Sequence, residues 1–367
     1  MMDAGRGSPG TAAAPAGAAP AGAAPAPEPV ADERLANIGL GARLMRRPEV
    51  GSLLGALVIC AFFWVTTEAF GTLSGIANWT DVASTLGIMA VAVALLMIGG
   101  EFDLSAGVMT GTTGLLMGLL TTEWGLSMWP AIALTFGFAA AVGFVNGYIV
   151  VKTKLPSFIV TLATFFVLQG INLGVTKAIT GTVRVSGLGA VPGYDSAANL
   201  LSSTFSSYNF RISVIWWIAI TALATWVLAR TRFGNWIFAV GGDANASRNV
   251  GVPVARVKVA LFMTTSTCAA LVGIMIALRL SSVQAGQGIG EEFTYIIAAV
   301  VGGCLLTGGY GSAIGASLGA LIVGMAFIGI QFSGWNTDWR FLFLGVILLL
   351  AVLVNNLVRH RAEGARR

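Results

Sequence analysis

The sequence predicts an all-α polytopic membrane protein of about ten transmembrane helices. Three observations predict it. Of 367 residues, 56% are hydrophobic and 10% charged, against about a quarter charged in a soluble domain. The apolar residues fall into runs of about 20, the length that crosses a bilayer as a helix. The 48 glycines lie mostly inside those runs, where small residues let helices approach closely in lipid.

Residues 1–48 are rich in Ala and Pro and too poor in large apolar side chains to build a core. They predict a disordered cytoplasmic tail. No apolar core follows a basic start there, so a cleavable signal peptide is not expected. Arg43, Arg46 and Arg47 precede the first span and predict a cytoplasmic start. Spans are expected near 51–70, 82–99, 105–122, 128–151, 157–178, 212–230, 256–279, 293–306, 312–332 and 340–357. The eighth is short and Gly-bounded. A re-entrant or broken helix, giving nine spans and a half-helix, is the alternative. Residues 49–358 thus form the transmembrane domain, and 359–367 a basic cytoplasmic tail.

Loop charges support the even count. With the N-terminus inside, Lys152 and Lys154, the Arg230 to Lys258 loop and the Arg359 to Arg367 tail are cytoplasmic. The outside loops carry Glu68, Glu123, Asp195, Glu291, Glu292 and Asp338, with only Arg184, Arg211, Arg279 and Arg340 scattered among them. This is the positive-inside pattern. It also explains the net charge of +5 without nucleic acid as a partner. Cys60, Cys268 and Cys304 each sit in an apolar run with no metal or disulfide spacing. The single His360 lies in the tail. No metal site and no His- or Cys-based catalyst is expected.

Function is expected where the apolar runs are interrupted. Gly99 to Gly107 joins two spans with almost no spacer and carries Glu101, Asp103 and Ser105. Asp103 or Ser105 can cap the following helix, where its dipole favours an acid. The same acids at a membrane boundary also suit a gate or a solute contact. Both readings stand. The cytoplasmic loop at 231–255 contains Gly241-Gly242, then Asp243 as a cap, a short helix over about 243–250, Gly251 as its stop and Pro253 against its continuation. A bare connector needs only a few residues, so this helix is expected to dock onto a partner. On the fifth span, Thr161, Thr164, Gln169 and Asn172 interrupt an apolar helix. They either bond a neighbouring helix or line a wet path. A neutral polar path suits a neutral hydroxylated solute. Gly311, Gly315 and Gly319 lie on one helix face and predict close packing. Gly99-Gly100 and Gly302-Gly303, each followed by a Gly-spaced span, hint at an internal repeat.

These motifs resemble the permease subunits of bacterial ATP-binding-cassette sugar importers of the ribose type. Gly99, Gly100, Asp103, Leu104, Ser105 and Gly107 match the stretch between the family's second and third spans, with Glu101-Phe102 where one residue is commoner. Ala239, Gly241, Gly242, Ala246 and Gly251 match its coupling segment, with Asp243 where Asn is common. Lys154 to Leu162, Arg279 to Ser282, Ala298 to Gly303 and Leu306 to Ser312 match in the same order, so the resemblance covers about 50–357. It implies that Gly241, Gly242, Asp243, Asn245, Ala246, Ser247, Arg248 and Gly251 couple to an ATPase. It also implies a separate ATP-binding-cassette ATPase, an extracytoplasmic solute-binding protein and a second permease copy, in the lipid of the bacterial cytoplasmic membrane. Glu101, Asp103, Ser105, Thr161, Thr164, Gln169 and Asn172 are the candidate path and gate.

No Gly-Lys pair occurs, so this chain carries no Walker A loop. ATP would be hydrolysed by the partner, and no cofactor is expected here. An ion-coupled secondary transporter using Glu101 or Asp103 is the competing reading. A membrane-embedded enzyme is disfavoured, because neither Glu101/Asp103 nor Glu291/Glu292 is accompanied by His or Cys.

Overall fold

The computed structural model describes Gly10 and residues 48–364. The tail expected at 1–48 and the last residues of the basic tail lie outside the described residues. Seven described helices are long and apolar enough to cross a membrane. They are α1 (Pro48–Thr66), α2 (Leu73–Ile98), α4 (Met128–Thr153), α5 (Ser157–Thr180), α7 (Ser213–Arg230), α10 (Val254–Leu280) and α12 (Ala313–Phe332). Shorter helices are α3 (Ala106–Thr122), α6 (Tyr194–Leu201), α8 (Arg232–Gly242), α9 (Ala244–Asn249) and α11 (Glu291–Val301). Helix α13 (Trp339–Gly364) carries its apolar stretch over Trp339–Leu353.

Helix α2 is the spine. In its most apolar stretch 89% is buried, against 17% in α1 and 22% in α5 and α7. In water those outer helices would be unstable. In lipid their exposed Leu, Val and Phe are the natural contact surface. Close packing is set by glycine. A Cβ on Gly324 of α12 would lie 2.7 Å from Ala83 Cβ of α2. On Gly143 and Gly147 of α4 it would lie 2.7 and 2.8 Å from backbone atoms of α10. Gly315 and Gly319 press against the α11 backbone in the same way.

Two features depart from the expected ten spans. The run expected at 293–306 is helical only over Glu291–Val301, 11 residues, or about 16 Å at 1.5 Å per residue. The chain reaches it from the end of α10 through β2 (Ser282–Gln284) and an irregular stretch. That stretch lies against α3, with Gly288 beside Gly107 and Gln287 beside Gly111. The alternative of a broken helix is the arrangement found. The second departure is a strand pair in a chain expected to be all helical. β1 (Arg184–Ser186) pairs antiparallel with β2, with Val185 opposite Val283. The pair fastens the long 180–210 segment to the bundle.

The two Gly-Gly turns share one geometry. Gly100 N–H donates to Met97 O and Glu101 N–H to Leu96 O. Gly303 N–H donates to Val300 O and Cys304 N–H to Ala299 O. Gly100 and Gly303 take φ of 82° and 90°, the left-handed residue that closes a Schellman end.

Candidate translocation pathway and coupling segment

The turn after α2 is sewn into the bundle by polar side chains. Phe102 N–H donates to Ser157 Oγ at 3.0 Å, and Leu104 N–H to Thr161 Oγ1 at 3.0 Å. Asp103 is 1% exposed. Its Oδ1 accepts from Ser105 N–H at 2.8 Å and from Ser105 Oγ at 2.5 Å. Burial raises the Asp103 carboxyl to about 6, and the Ser105 bonds pull against that rise. Asp103 Oδ2 is buried without a partner. Asn146 of α4 donates to Ser105 Oγ at 3.2 Å, and Thr164 donates to Asn146 Oδ1 at 2.6 Å. Glu101 is buried and pairs with Lys258 of α10.

Further along α5, Asn172 donates to Thr112 Oγ1 of α3 at 3.0 Å. Gln169 is half-buried. The structure therefore brings Asp103, Ser105, Thr161 and Thr164 into one network. Asn172 and Gln169 stand apart from it.

At the same end, α8 and α9 form the cytoplasmic-loop structure. Thr231 caps α8 by accepting from Gly234 N–H at 3.0 Å. Asp243 caps α9 by accepting from Asn245 N–H at 2.8 Å and Ala246 N–H at 2.9 Å. Ser247 is buried, whereas Asn245, Ala246, Arg248 and Val250 are exposed. Gly251, with φ of 86°, stops the helix. Gly241 meets the gate turn backbone to backbone: a Cβ there would lie 1.7 Å from Ile98 O and 2.6 Å from Gly309 N.

At the strand-bearing end lies a cavity of about 660 Å³ between α2, α3, α10 and α11. That size suits a small-molecule site. Its polar lining includes Thr85, Thr110, Gln284, Gln287, Glu291 and Tyr295, with Arg184 and Arg340. None of the candidate path residues lines it. Sequence reasoning did not select the lining residues. One signal was available: Gln284, Gly286, Gln287, Gly288 and Gly290 are polar, irregular backbone placed before a short apolar run. In membrane proteins such backbone belongs beside a cavity.

Residues 73–352 match the family described as branched-chain amino acid transport system / permease component. The chain belongs to that family. This permease is 32% identical to the ribose import permease protein of Escherichia coli K12, over 84% of this chain and 94% of that one. It is 30% identical to the xylose transport system permease protein of Haemophilus influenzae, over 83% and 94%. It is also 30% identical to the fructose import permease protein of Rhizobium meliloti, over 79% and 82%. No solved structure matches the chain. The permease is thus a multi-pass membrane component of a transport system, and transport rather than covalent chemistry is its task.

Proposed function

We propose that this chain is the membrane-spanning subunit of an ATP-driven importer of a small hydroxylated solute, a sugar or a polyol. It forms the translocation path and couples to an ATPase on another chain. The observation that carries this is the separation of two structures at opposite ends of one bundle. A cavity of about 660 Å³ opens at the strand-bearing end, and an exposed capped helix, Ala244–Asn249, stands at the other. The relatives' names, for ribose, xylose and fructose, support the solute class.

The chain makes ten crossings, the eighth being β2, the irregular stretch and α11 together. Both termini are cytoplasmic, in the inner membrane of a bacterium. The partners are a cytoplasmic ATP-binding-cassette ATPase seated on α9, an extracytoplasmic solute-binding protein over the cavity, and a second permease copy. ATP closure of the ATPases pushes on α9, and the gate turn at 99–105 follows through Gly241 and Lys258. The absence of a Gly-Lys pair in the sequence supports an ATPase on another chain.

The test is uptake in proteoliposomes containing the permease, its ATPase and its binding protein. Accumulation should require ATP. Accumulation driven by a pH gradient without ATP would establish the ion-coupled alternative, with Glu101 or Asp103 as its acid.

A further inference from the structure

The four arginines scattered through the outside loops converge in the fold. Arg184 and Arg340 line the large cavity. Arg211 and Arg279 line a small adjoining recess, and the two spaces share Thr85 and Ile276 in their walls. One carboxylate lines each space, Glu291 in the cavity and Asp81 in the recess. Asp81 is committed: it pairs with Arg279 at 2.8 Å and with Arg211 at 3.3 Å. Glu291 alone is left to balance Arg184 and Arg340. Among the described residues, neither of these arginines makes an ion pair.

Both guanidiniums are held in place by uncharged groups. Arg184 lies opposite Gln284 in the strand pair and donates to Ser282 Oγ at 2.6 Å. Arg340 lies over Phe341 at 4.7 Å and over Phe327 at 5.9 Å. Such contacts position the heads and leave most of their donors unused, since a guanidinium carries five N–H groups. Membrane topology does not explain these residues, because basic residues favour the other side. A cation excess beside an apolar wall is costly until an anion meets it.

We infer that the cavity takes an anionic hydroxylated solute, a sugar acid or a sugar phosphate, with its anionic group held by Arg184 and Arg340. The planar guanidinium fork matches a carboxylate or a phosphate with two hydrogen bonds. Thr85, Gln284 and Tyr295 serve the hydroxyls. The inference rests on the transport reading and narrows its solute class. The neutral side chains of α5, which suit an uncharged solute, are not in this cavity.

The test uses the full-length permease in nanodiscs, with melting followed against gluconate, ribose 5-phosphate, ribose, glucose, acetate and inorganic phosphate at matched ionic strength. Gluconate or ribose 5-phosphate should raise the melting temperature, and which of them does so identifies the anionic group. Ribose and glucose should not, and acetate and inorganic phosphate should act more weakly than the hydroxylated anions. Arg184→Gln and Arg340→Gln should each weaken the anion response about tenfold, the worth of a charge-assisted bond. Equal stabilisation by neutral sugars overturns the inference, as does an anion response that survives both substitutions. If the substitutions instead weaken only capture of the binding protein, the arginines serve docking and the inference also falls. Parallel ATP-driven uptake separates the two readings. Ribose uptake without gluconate or ribose 5-phosphate uptake sinks only the anionic class; no uptake of any solute sinks the transport reading and this inference with it.

Discussion

Gly309 donates its backbone N–H to the carbonyl of Ile98 at 2.8 Å. This bond ties the connection between α11 and α12 to the last residue of α2. Gly241, at the end of α8, closes over the same bond. The three segments meet through backbone alone, and no side chain lies between them to absorb a displacement.

Gly241→Ala should therefore disrupt the permease, whereas Gly242→Ala should not. A methyl at Gly241 would sit 1.7 Å from Ile98 O, while one at Gly242 meets nothing within 4 Å. Overpacking of this kind costs about 1–3 kcal/mol or more. Melting in nanodiscs checks it: a clear drop for the first variant and an unchanged transition for its neighbour.

Glu101 and Lys258 should behave as one unit. Glu101→Gln leaves Lys258 partly buried without its carboxylate, and stability should fall by about 1–3 kcal/mol. Lys258→Met should cost a similar amount. The double variant should recover most of the loss, so a double-mutant cycle on melting would give clear coupling. Strictly additive losses would refute the pairing.

Asp103→Asn should stabilise the permease at neutral pH and not in acid. Burial raises the Asp103 carboxyl to about 6, against about 3.9 for a free one. The folded form therefore holds its proton more tightly than the unfolded form. The wild type loses stability as pH rises between those values and stays lower above pH 6. Asn keeps an acceptor for Ser105 and removes the buried charge. The variant's advantage should be on the order of 2 kcal/mol at pH 7.5 and should vanish near pH 4.

Ala246→Glu and Arg248→Glu should uncouple the transporter without unfolding it. Both residues are exposed on α9, so neither change disturbs packing. Insertion and melting should match the wild type, while solute-stimulated ATP hydrolysis falls sharply. Retained stimulation would show that the ATPase contacts another surface.

The sequence made the spans and the short capped helix legible for a simple reason. Apolar length and a cap are local properties, and Asp243 before Ala244 reads the same in a string as in a fold. The gate turn was legible as a place, but its bonding was not. Asn146, which donates to Ser105, lies mid-span with no local pattern to mark it. The cavity was hidden for the opposite reason. Arg184 and Arg340 are far apart in the chain, and each alone looks like an ordinary loop charge. Their shared cavity depends on the β1–β2 pair, whose three-residue strands are too short for alternation to signal. The eighth span was ambiguous because an 11-residue apolar run fits a half-helix as well as a truncated whole one.

The broken eighth segment has a consequence for how this chain tolerates length changes. A residue inserted into a continuous helix turns everything beyond it by about 100° and advances it by about 1.5 Å. A residue inserted into extended backbone advances it by about 3.3 Å and reverses the side facing each neighbour. The stretch from Ser282 to Gly290 therefore acts as a depth gauge for Glu291 and the half-helix it begins. A single deletion there would lift Glu291 and Tyr295 out of register with Thr110, while one at the exposed tip of the 202–212 loop would leave the bundle's alignment unchanged.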